Sequence, residues 1–184
     1  MEINKEIKKI LSEVENLLSL LTEDEINQFI QKILSSKRIF VAGAGRSGII
    51  AKAFAMRLMQ LGLTTYVVGE TITPPIKEND LLIIVSGSGK TQYSQNILKI
   101  AGEKGAYTYL LTGRKTSPMG KLAHRKILLP APTKFSSGKI KSEQVAGSLF
   151  EQGAFIFLEC IVNLILKKLK MQSKDIMLRH TNLE

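Results

Sequence analysis

The chain has 184 residues, of which 44% are hydrophobic and 23% charged, and it contains a single cysteine. This length favours one domain with a sizeable core, and the lone cysteine excludes an internal disulfide framework, as is usual in a reducing cytoplasm. The amino-terminal residues contain no apolar stretch of the kind found in signal peptides, and no apolar run reaches the about 18 residues of a membrane span. We therefore expect a cytoplasmic protein that does not act at a membrane.

The formal net charge of +10 favours an anionic partner. The lysines are scattered, however, and no basic run is interleaved with aromatic residues, as a nucleic-acid interface would require. We therefore predict a small anionic ligand and no nucleic acid.

Two amphipathic helices are predicted at the start of the chain. Apolar residues recur at helical spacing from Ile7 to Leu21, and Thr22 with Glu25 forms a capping box that begins the second helix. The two helices can cover the domain or pair with another subunit. A DNA-binding helix-turn-helix is disfavoured because the second helix is acidic at its start. We assign residues 1–36 to this segment and 37–184 to the main domain.

Strands and helices alternate from residue 38 onward. Strands are predicted at 38–41, 65–68, 81–85, 108–111 and 126–129, and helices at 47–61, 91–104 and 118–123. A polar loop at 130–143 precedes a long apolar helix from about 145 to 170, in which we expect Cys160 to be buried, and a short carboxyl-terminal piece at 173–184. This alternation predicts an α/β fold, a three-layer sandwich with a five-stranded parallel sheet between helices.

Two glycine-rich turns follow predicted strands. The first, GAGRSG from Gly43 to Gly48, satisfies G-x-G-x-x-G, and Glu70 lies about where a dinucleotide fold has its ribose-binding acid. The second, SGSGKT from Ser86 to Thr91, imitates a nucleotide-binding P-loop. Ile84 occupies the place of that motif's first glycine, so the P-loop interpretation fails.

The two turns together favour one phosphate site over a dinucleotide site. Parallel strands deliver their turns to the same edge of the sheet, where backbone N–H groups, hydroxyls and helix N-termini bind phosphate. The candidate ligands of a phosphosugar are Gly45, Arg46, Ser47, Ser86, Gly87, Ser88 and Thr91. The role of Lys90 stays open, and the alternative is that the glycines only form turns and the serines only cap helices.

An ordered set of motifs resembles the 6-phospho-3-hexuloisomerase family of the sugar isomerase (SIS) superfamily. The motifs are GAGRSG, AKAFAMRLMQLG, VGETITPP, NDLLIIVSGSGKT, PAPTK, GSLFEQ and RHTNLE, and they span residue 37 to the end of the chain. The resemblance implies a flavodoxin-like parallel sheet and a homotetramer with active sites at subunit contacts. It also implies interconversion of 3-hexulose 6-phosphate and fructose 6-phosphate in the ribulose monophosphate pathway, which fixes formaldehyde or, run backwards, supplies pentose phosphates.

The chain departs from the family pattern at a few positions. Val145 and Ala146 stand where the family usually has Pro-Met, Gln60 replaces a frequent histidine, and Thr181 replaces a frequent alanine. None of these changes removes a polar group that we assign to the chemistry.

The catalytic assignments combine the chemistry with the resemblance. Moving a carbonyl from carbon 3 to carbon 2 passes through an enediolate, and a carboxylate can carry the proton. Glu151 matches the family's catalytic glutamate, although a glutamate that merely complements a helix dipole is the alternative. Arg46 is the candidate to stabilise the enediolate, and Glu70 is interpreted as shaping the site.

His180 lies in a segment too polar for a core, so by the residues alone it belongs to a frayed tail. The resemblance instead implies an acid/base residue, in its own site or lent to a neighbour's site, whereas His124 is interpreted as a surface loop residue. No cofactor and no metal is expected, because the two histidines and the cysteine lack ligand spacing. The alternatives in function are another SIS isomerase, for example of a pentose 5-phosphate, and a non-catalytic phosphosugar sensor.

Overall fold

The computed structural model describes residues 1–132 and 140–183, so the PAPTK motif and the predicted loop 130–143 lie partly outside the described residues. The helices are α1 (Glu2–Leu18), α2 (Glu23–Ser35), α3 (Arg46–Gln60), α4 (Gln92–Glu103), α5 (Pro118–Leu122), α6 (Ser148–Lys168) and α7 (Ser173–Met177). The strands are β1 (Ile39–Gly43), β2 (Thr65–Val67), β3 (Leu81–Val85), β4 (Tyr107–Thr112) and β5 (Arg125–Leu128).

The strands form one parallel sheet in the order β2-β1-β3-β4-β5. The chain leaves β1 towards one side to form β2 and then returns past β1 to form β3, so the connections reverse direction between β1 and β3. Gly43, the last residue of β1, is level with Val85, the last residue of β3. The predicted five-stranded parallel sheet is confirmed, and the two glycine-rich turns begin side by side.

The alternating side chains of the strands divide the core between the two faces of the sheet. One face packs against α1, α2, α3 and α6, and the other against α4 and α5. All five residues of β3 are buried, which explains why its sequence, LLIIV, is apolar throughout rather than alternating. The predicted three-layer sandwich is therefore confirmed.

The amino-terminal helices contribute to the larger of the two cores. Leu17 of α1 packs so closely on α6 that a Cβ atom added to Gly153 would lie 2.6 Å from its Cδ2 atom. The capping box that starts α2 is present, with reciprocal bonds between Thr22 and Glu25. The first half of α1 leaves its apolar stripe uncovered within one chain, because Ile7 is 47% and Leu11 58% exposed. The division into segments 1–36 and 37–184 stays a prediction.

Helix α6 is apolar on two faces. By length and composition it could cross a membrane, yet half of its most apolar window is buried within the protein, as in the core helix of a soluble domain. Its inner face includes Phe157 and Ile161. The burial predicted for Cys160 is wrong, because the cysteine lies on the outer face and is exposed. The sequence pattern did not distinguish the buried face of α6 from the exposed one, because both faces carry apolar residues.

A buried ion pair joins the amino ends of β1 and β3. The Nε atom of Arg38 donates to Oδ1 of Asp80 at 2.9 Å, and Nη2 donates to Oδ2 at 2.5 Å. The Asp80 carboxylate is 1% exposed and also accepts the backbone N–H of Lys77 at 2.7 Å. The two strands that present the glycine-rich turns are thus fixed to each other at their opposite ends.

We expect Asp80→Ala to lower the free energy of unfolding by about 3 kcal/mol. The change removes the carboxylate that accepts hydrogen bonds from the mostly buried Arg38 guanidinium and from the backbone N–H of Lys77. Glu103→Ala is the matched control. Its carboxylate forms an exposed pair with Lys99 at 3.8 Å, which is worth about 0.5 kcal/mol or less. Urea denaturation measures both values, and equal losses would contradict the importance assigned to the buried pair.

Candidate functional site

A cavity of about 480 Å³ opens at the carboxyl ends of β1 and β3, where the strand order reverses. Open parallel sheets bind their ligands at this position. Three segments of chain form its wall, namely the two glycine-rich turns and the start of α6. The lining residues are Ala44, Gly45, Arg46, Ser47, Val85, Ser86, Gly87, Ser88, Thr91, Val145, Ala146, Gly147, Ser148, Phe150 and Glu151.

The first turn places the amino terminus of α3 at the cavity. Gly45 has a φ of +58°, a conformation that side chains with a Cβ rarely adopt, so the tight reversal after β1 requires glycine. Arg46 and Ser47 are the first two residues of α3. Their backbone N–H groups have no intrahelical acceptor, because the first amides of any helix lack one, and they favour an anion at this point.

The second turn organises its serine hydroxyls with its own backbone. The Ser86 hydroxyl accepts the N–H of Gly89 at 3.3 Å, and the Ser88 hydroxyl accepts the N–H of Lys90 at 3.2 Å. A hydroxyl that accepts one bond still has its own proton to donate. Thr91 precedes α4, and its side chain makes no capping bond. The three hydroxyls can therefore donate to an anion in the cavity.

Phe150 joins the second turn to α6. A Cβ atom added to Gly87 would lie 2.9 Å from Cδ1 and 3.2 Å from Cε1 of the Phe150 ring, which is 1% exposed. Glycine is required here because the aromatic ring occupies the space of a side chain. This contact holds the amino terminus of α6 against the second glycine-rich turn.

Glu151 and Arg46 form an ion pair across the cavity. The Nε atom of Arg46 is 2.5 Å from Oε2 of Glu151, and the Glu151 side chain is 18% exposed whereas that of Arg46 is 66% exposed. Helix α6 begins at Ser148, three residues later than predicted, because Gly147 has a φ of +98°. Glu151 therefore lies in the first turn of the helix and faces the cavity.

Two residues considered from the sequence lie outside the cavity wall. The Glu70 carboxylate accepts a hydrogen bond from Nζ of Lys52 at 2.7 Å, and both side chains are more than half exposed. Lys90 lies within the second turn, but its side chain is exposed. Neither residue lines the cavity, so within one chain the site is built by the two turns and by the start of α6 with the residues just before it.

His180 lies far from the cavity of its own chain. Nη1 of the preceding Arg179 donates to the backbone carbonyl of Gln60, the last residue of α3, at 3.4 Å. Helix α3 has 15 residues and is thus about 22 Å long, with Arg46 at its other end. His180 is exposed, with Nδ1 3.2 Å from the Thr181 carbonyl oxygen. His124 is also exposed, as predicted, and its Nδ1 accepts the backbone N–H of Thr108.

Sequence reasoning did not assign the segment 145–148 or Phe150 to the site. The available signal was Gly147, directly before the helix that carries the candidate base. Across residues 1–132 and 140–183, no three side chains of histidine, cysteine, aspartate or glutamate are grouped as a metal ion would require.

Known proteins resemble this chain over most or all of its length. The model of the SIS domain matches residues 32–154. The chain is 39% identical to 3-hexulose-6-phosphate isomerase from Bacillus subtilis, with 100% of both chains covered. It is 35% identical to the enzyme of that name from Mycobacterium gastri, covering 100% of this chain and 92% of the relative.

Among solved structures, a hypothetical protein from Methanococcus jannaschii superimposes with a TM-score of 0.85. Its sequence is 33% identical, and 98% of this chain and 99% of that chain are covered. Its structure was described as inferring a molecular function of 3-hexulose-6-phosphate isomerase.

We expect Gly87→Ala to destabilise the protein by about 1–3 kcal/mol, because the added methyl group must displace Phe150 or the turn. Gly102→Ala in α4 is the control, because nothing lies within 4 Å of the new Cβ atom, and replacing a helical glycine stabilises by about 0.5–1 kcal/mol. Urea denaturation measures both changes. A Gly87 variant as stable as the wild type would contradict the close contact with Phe150.

Proposed function

The chain belongs to the SIS domain family, and from this membership we propose that it is the isomerase that interconverts 3-hexulose 6-phosphate and fructose 6-phosphate. The observation that carries the proposal is full-length similarity to isomerases of that name in a chain whose cavity combines two phosphate-binding turns with a carboxylate–guanidinium pair. The enzyme is an intramolecular oxidoreductase. Its place is in the cytoplasm, in the ribulose monophosphate pathway of formaldehyde fixation.

The phosphate of the substrate binds to the second turn. The hydroxyls of Ser86, Ser88 and Thr91 donate to its oxygens, and backbone N–H groups at Gly45 and Gly87 add further donors. Ser47 contributes from the first turn of α3. This arrangement needs no lysine, which agrees with the exposed position of Lys90 outside the cavity wall.

Glu151 transfers the proton. Its carboxylate removes the proton from carbon 2 of 3-hexulose 6-phosphate, and the electron pair of that bond forms the carbon–carbon double bond of a 2,3-enediolate. A proton passes from oxygen 2 to oxygen 3, and protonated Glu151 then donates to carbon 3, which leaves the carbonyl at carbon 2. The position of Glu151 at the cavity wall, 18% exposed, supports this role.

Arg46 stabilises the charge that develops on oxygens 2 and 3. Its guanidinium is 2.5 Å from the Glu151 carboxylate, so an oxygen bound beside the base is also within reach of the cation. A positive charge placed where the enediolate forms lowers the barrier to proton removal. Glu70, which pairs with Lys52 outside the cavity, shapes the site only through its neighbours or across a subunit contact.

We propose that His180 serves the site of a neighbouring subunit in a homotetramer. Two observations support this assembly. His180 lies at the opposite end of α3 from its own cavity. In addition, α3 and α6 carry an exposed apolar face formed by Ile49, Met56, Met59, Phe155, Ile156 and Leu164, of the kind that obligate subunit contacts bury.

A coupled assay with enzymatically generated 3-hexulose 6-phosphate tests the function. We expect isomerisation and, with fructose 6-phosphate in deuterated water, exchange of a carbon-bound hydrogen. A pentose 5-phosphate isomerised faster would instead identify another SIS isomerase. Binding of fructose 6-phosphate without exchange would identify a sensor.

Glu151→Gln is expected to lower the rate of hydrogen exchange by about 10³-fold or more, because the amide cannot accept the proton. Binding of fructose 6-phosphate, measured by calorimetry, should stay within about threefold of the wild type because the phosphate contacts are kept. Glu159→Gln on the same helix is the control and should retain full activity. An active Glu151→Gln enzyme would show that another group is the base.

His180→Ala is expected to slow the consumption of fructose 6-phosphate more than that of 3-hexulose 6-phosphate in pre-steady-state assays. Fructose 6-phosphate closes a five-membered ring that an acid/base residue must open, whereas the phosphate on oxygen 6 keeps the 3-hexulose in its open-chain form. Steady-state ratios do not distinguish the two directions, because the overall equilibrium constant is unchanged. Equal losses in the initial steps of both directions would contradict the ring-opening role.

A further inference from the structure

The carboxylate of Glu13, on α1, binds the segment that leads into α6. Its Oε2 atom accepts the hydroxyl of Ser142 at 2.6 Å and the side-chain amide of Gln144 at 2.9 Å. Its Oε1 atom accepts the backbone N–H of Glu143 at 3.3 Å. One side chain thus holds three consecutive residues that are about 130 positions away in the sequence.

Other contacts make this segment a short, well-defined connection. Lys9, one turn before Glu13, forms an ion pair with Glu143. The Ser142 hydroxyl accepts the backbone N–H of Gln144 at 3.1 Å, and the N–H of Ser148 donates to the Val145 carbonyl at 2.9 Å. The segment is therefore fixed to α1 at one end and folded into the start of α6 at the other.

The part of the chain between these two fixed ends forms one section of the cavity wall. Val145, Ala146, Gly147 and Ser148 all line it, and Glu151 follows within one turn of α6. Val145 and Ala146 are exposed to solvent, so packing alone holds them weakly. Their position depends on the hydrogen bonds made just before them.

The Glu13 carboxylate is ionised at neutral pH. Its partial burial raises the pKa, but the hydrogen bonds from Ser142, Gln144 and Glu143 outweigh this effect and hold the pKa below its usual value. Hydrogen bonds to a charged acceptor are shorter and stronger than those to a neutral one. The charge therefore strengthens the attachment under ordinary conditions.

We propose that Glu13 is a positioning residue for the isomerase reaction: it anchors residues 142–144 to α1 and so holds the wall 145–148 and the candidate base Glu151 in place. This inference rests on the proposed function for its kinetic consequences. By this inference α1 has two roles: it covers the hydrophobic core, and through Glu13 it positions part of the cavity wall.

Glu13→Gln is the first test. We expect kcat for fructose 6-phosphate to fall about 10-fold to 100-fold, because small displacements of a catalytic group are costly. The dissociation constant of fructose 6-phosphate should change less than about threefold, because the phosphate-binding turns do not contact Glu13. Amide hydrogen exchange in the peptide covering 140–150 should become faster.

Two further variants separate positioning from stability. Glu15→Gln, on an exposed part of the same helix, is the matched control and should change neither kcat nor exchange. In the double variant Glu13→Gln with Gln144→Glu, the side chain at 13 donates the hydrogen bond and the one at 144 accepts it. Because this pairing is restored, the double variant should recover about a third or more of the lost kcat. All variants are assayed at a temperature where thermal unfolding shows them to be fully folded.

Each outcome decides the inference. Wild-type kcat and exchange in Glu13→Gln, or a loss that the reversed pair leaves unchanged, would overturn it. If Glu13→Gln does not fold, Ser142→Ala removes one bond from the other side, and unchanged exchange in residues 140–150 of that variant would overturn it as well. A wild-type protein without isomerase activity would refute the proposed function, and the exchange measurements would still decide the anchoring role.

Discussion

The level ends of β1 and β3 are the constraint on which the site depends. Gly43 and Val85 are paired in register, so the turns that follow them start at the same height and meet above the sheet. Parallel pairing alone does not produce a cavity, because adjacent turns usually fill the edge. The space opens here because the chain reverses direction between these two strands, which separates α3 from α4 on opposite faces.

Helix α6 connects the remaining parts of the site. Its first turn brings Glu151 to Arg46, its Phe150 ring packs on Gly87, and its second turn packs on α1 through Gly153 and Leu17. The amino-terminal helices therefore influence the cavity in two ways, through this packing and through the hydrogen bonds of Glu13. Helix α1, which is distant in the sequence, thus contacts both α6 and the segment that leads into it.

The electrostatic arrangement suits a reaction that creates negative charge. The hydroxyls of the second turn line the cavity together with the ion pair of Arg46 and Glu151. A carboxylate beside a guanidinium would be a weak arrangement for binding alone, since each neutralises the other. In the proposed reaction, the pair places the base next to a fixed cation that stabilises the enediolate as it forms.

The sequence by itself determined the strands, the two turns and the start of α2, because apolar runs, glycines and capping residues act over a few neighbouring positions. It also indicated Glu151 and Arg46 through motifs. Only the tertiary structure decided which side chains meet: it paired Glu70 with Lys52 outside the cavity, exposed Cys160, moved the start of α6 to Ser148 and brought Glu13 to Ser142. Such outcomes depend on which helix face is covered and on contacts about 130 residues apart, and local patterns carry no information about either.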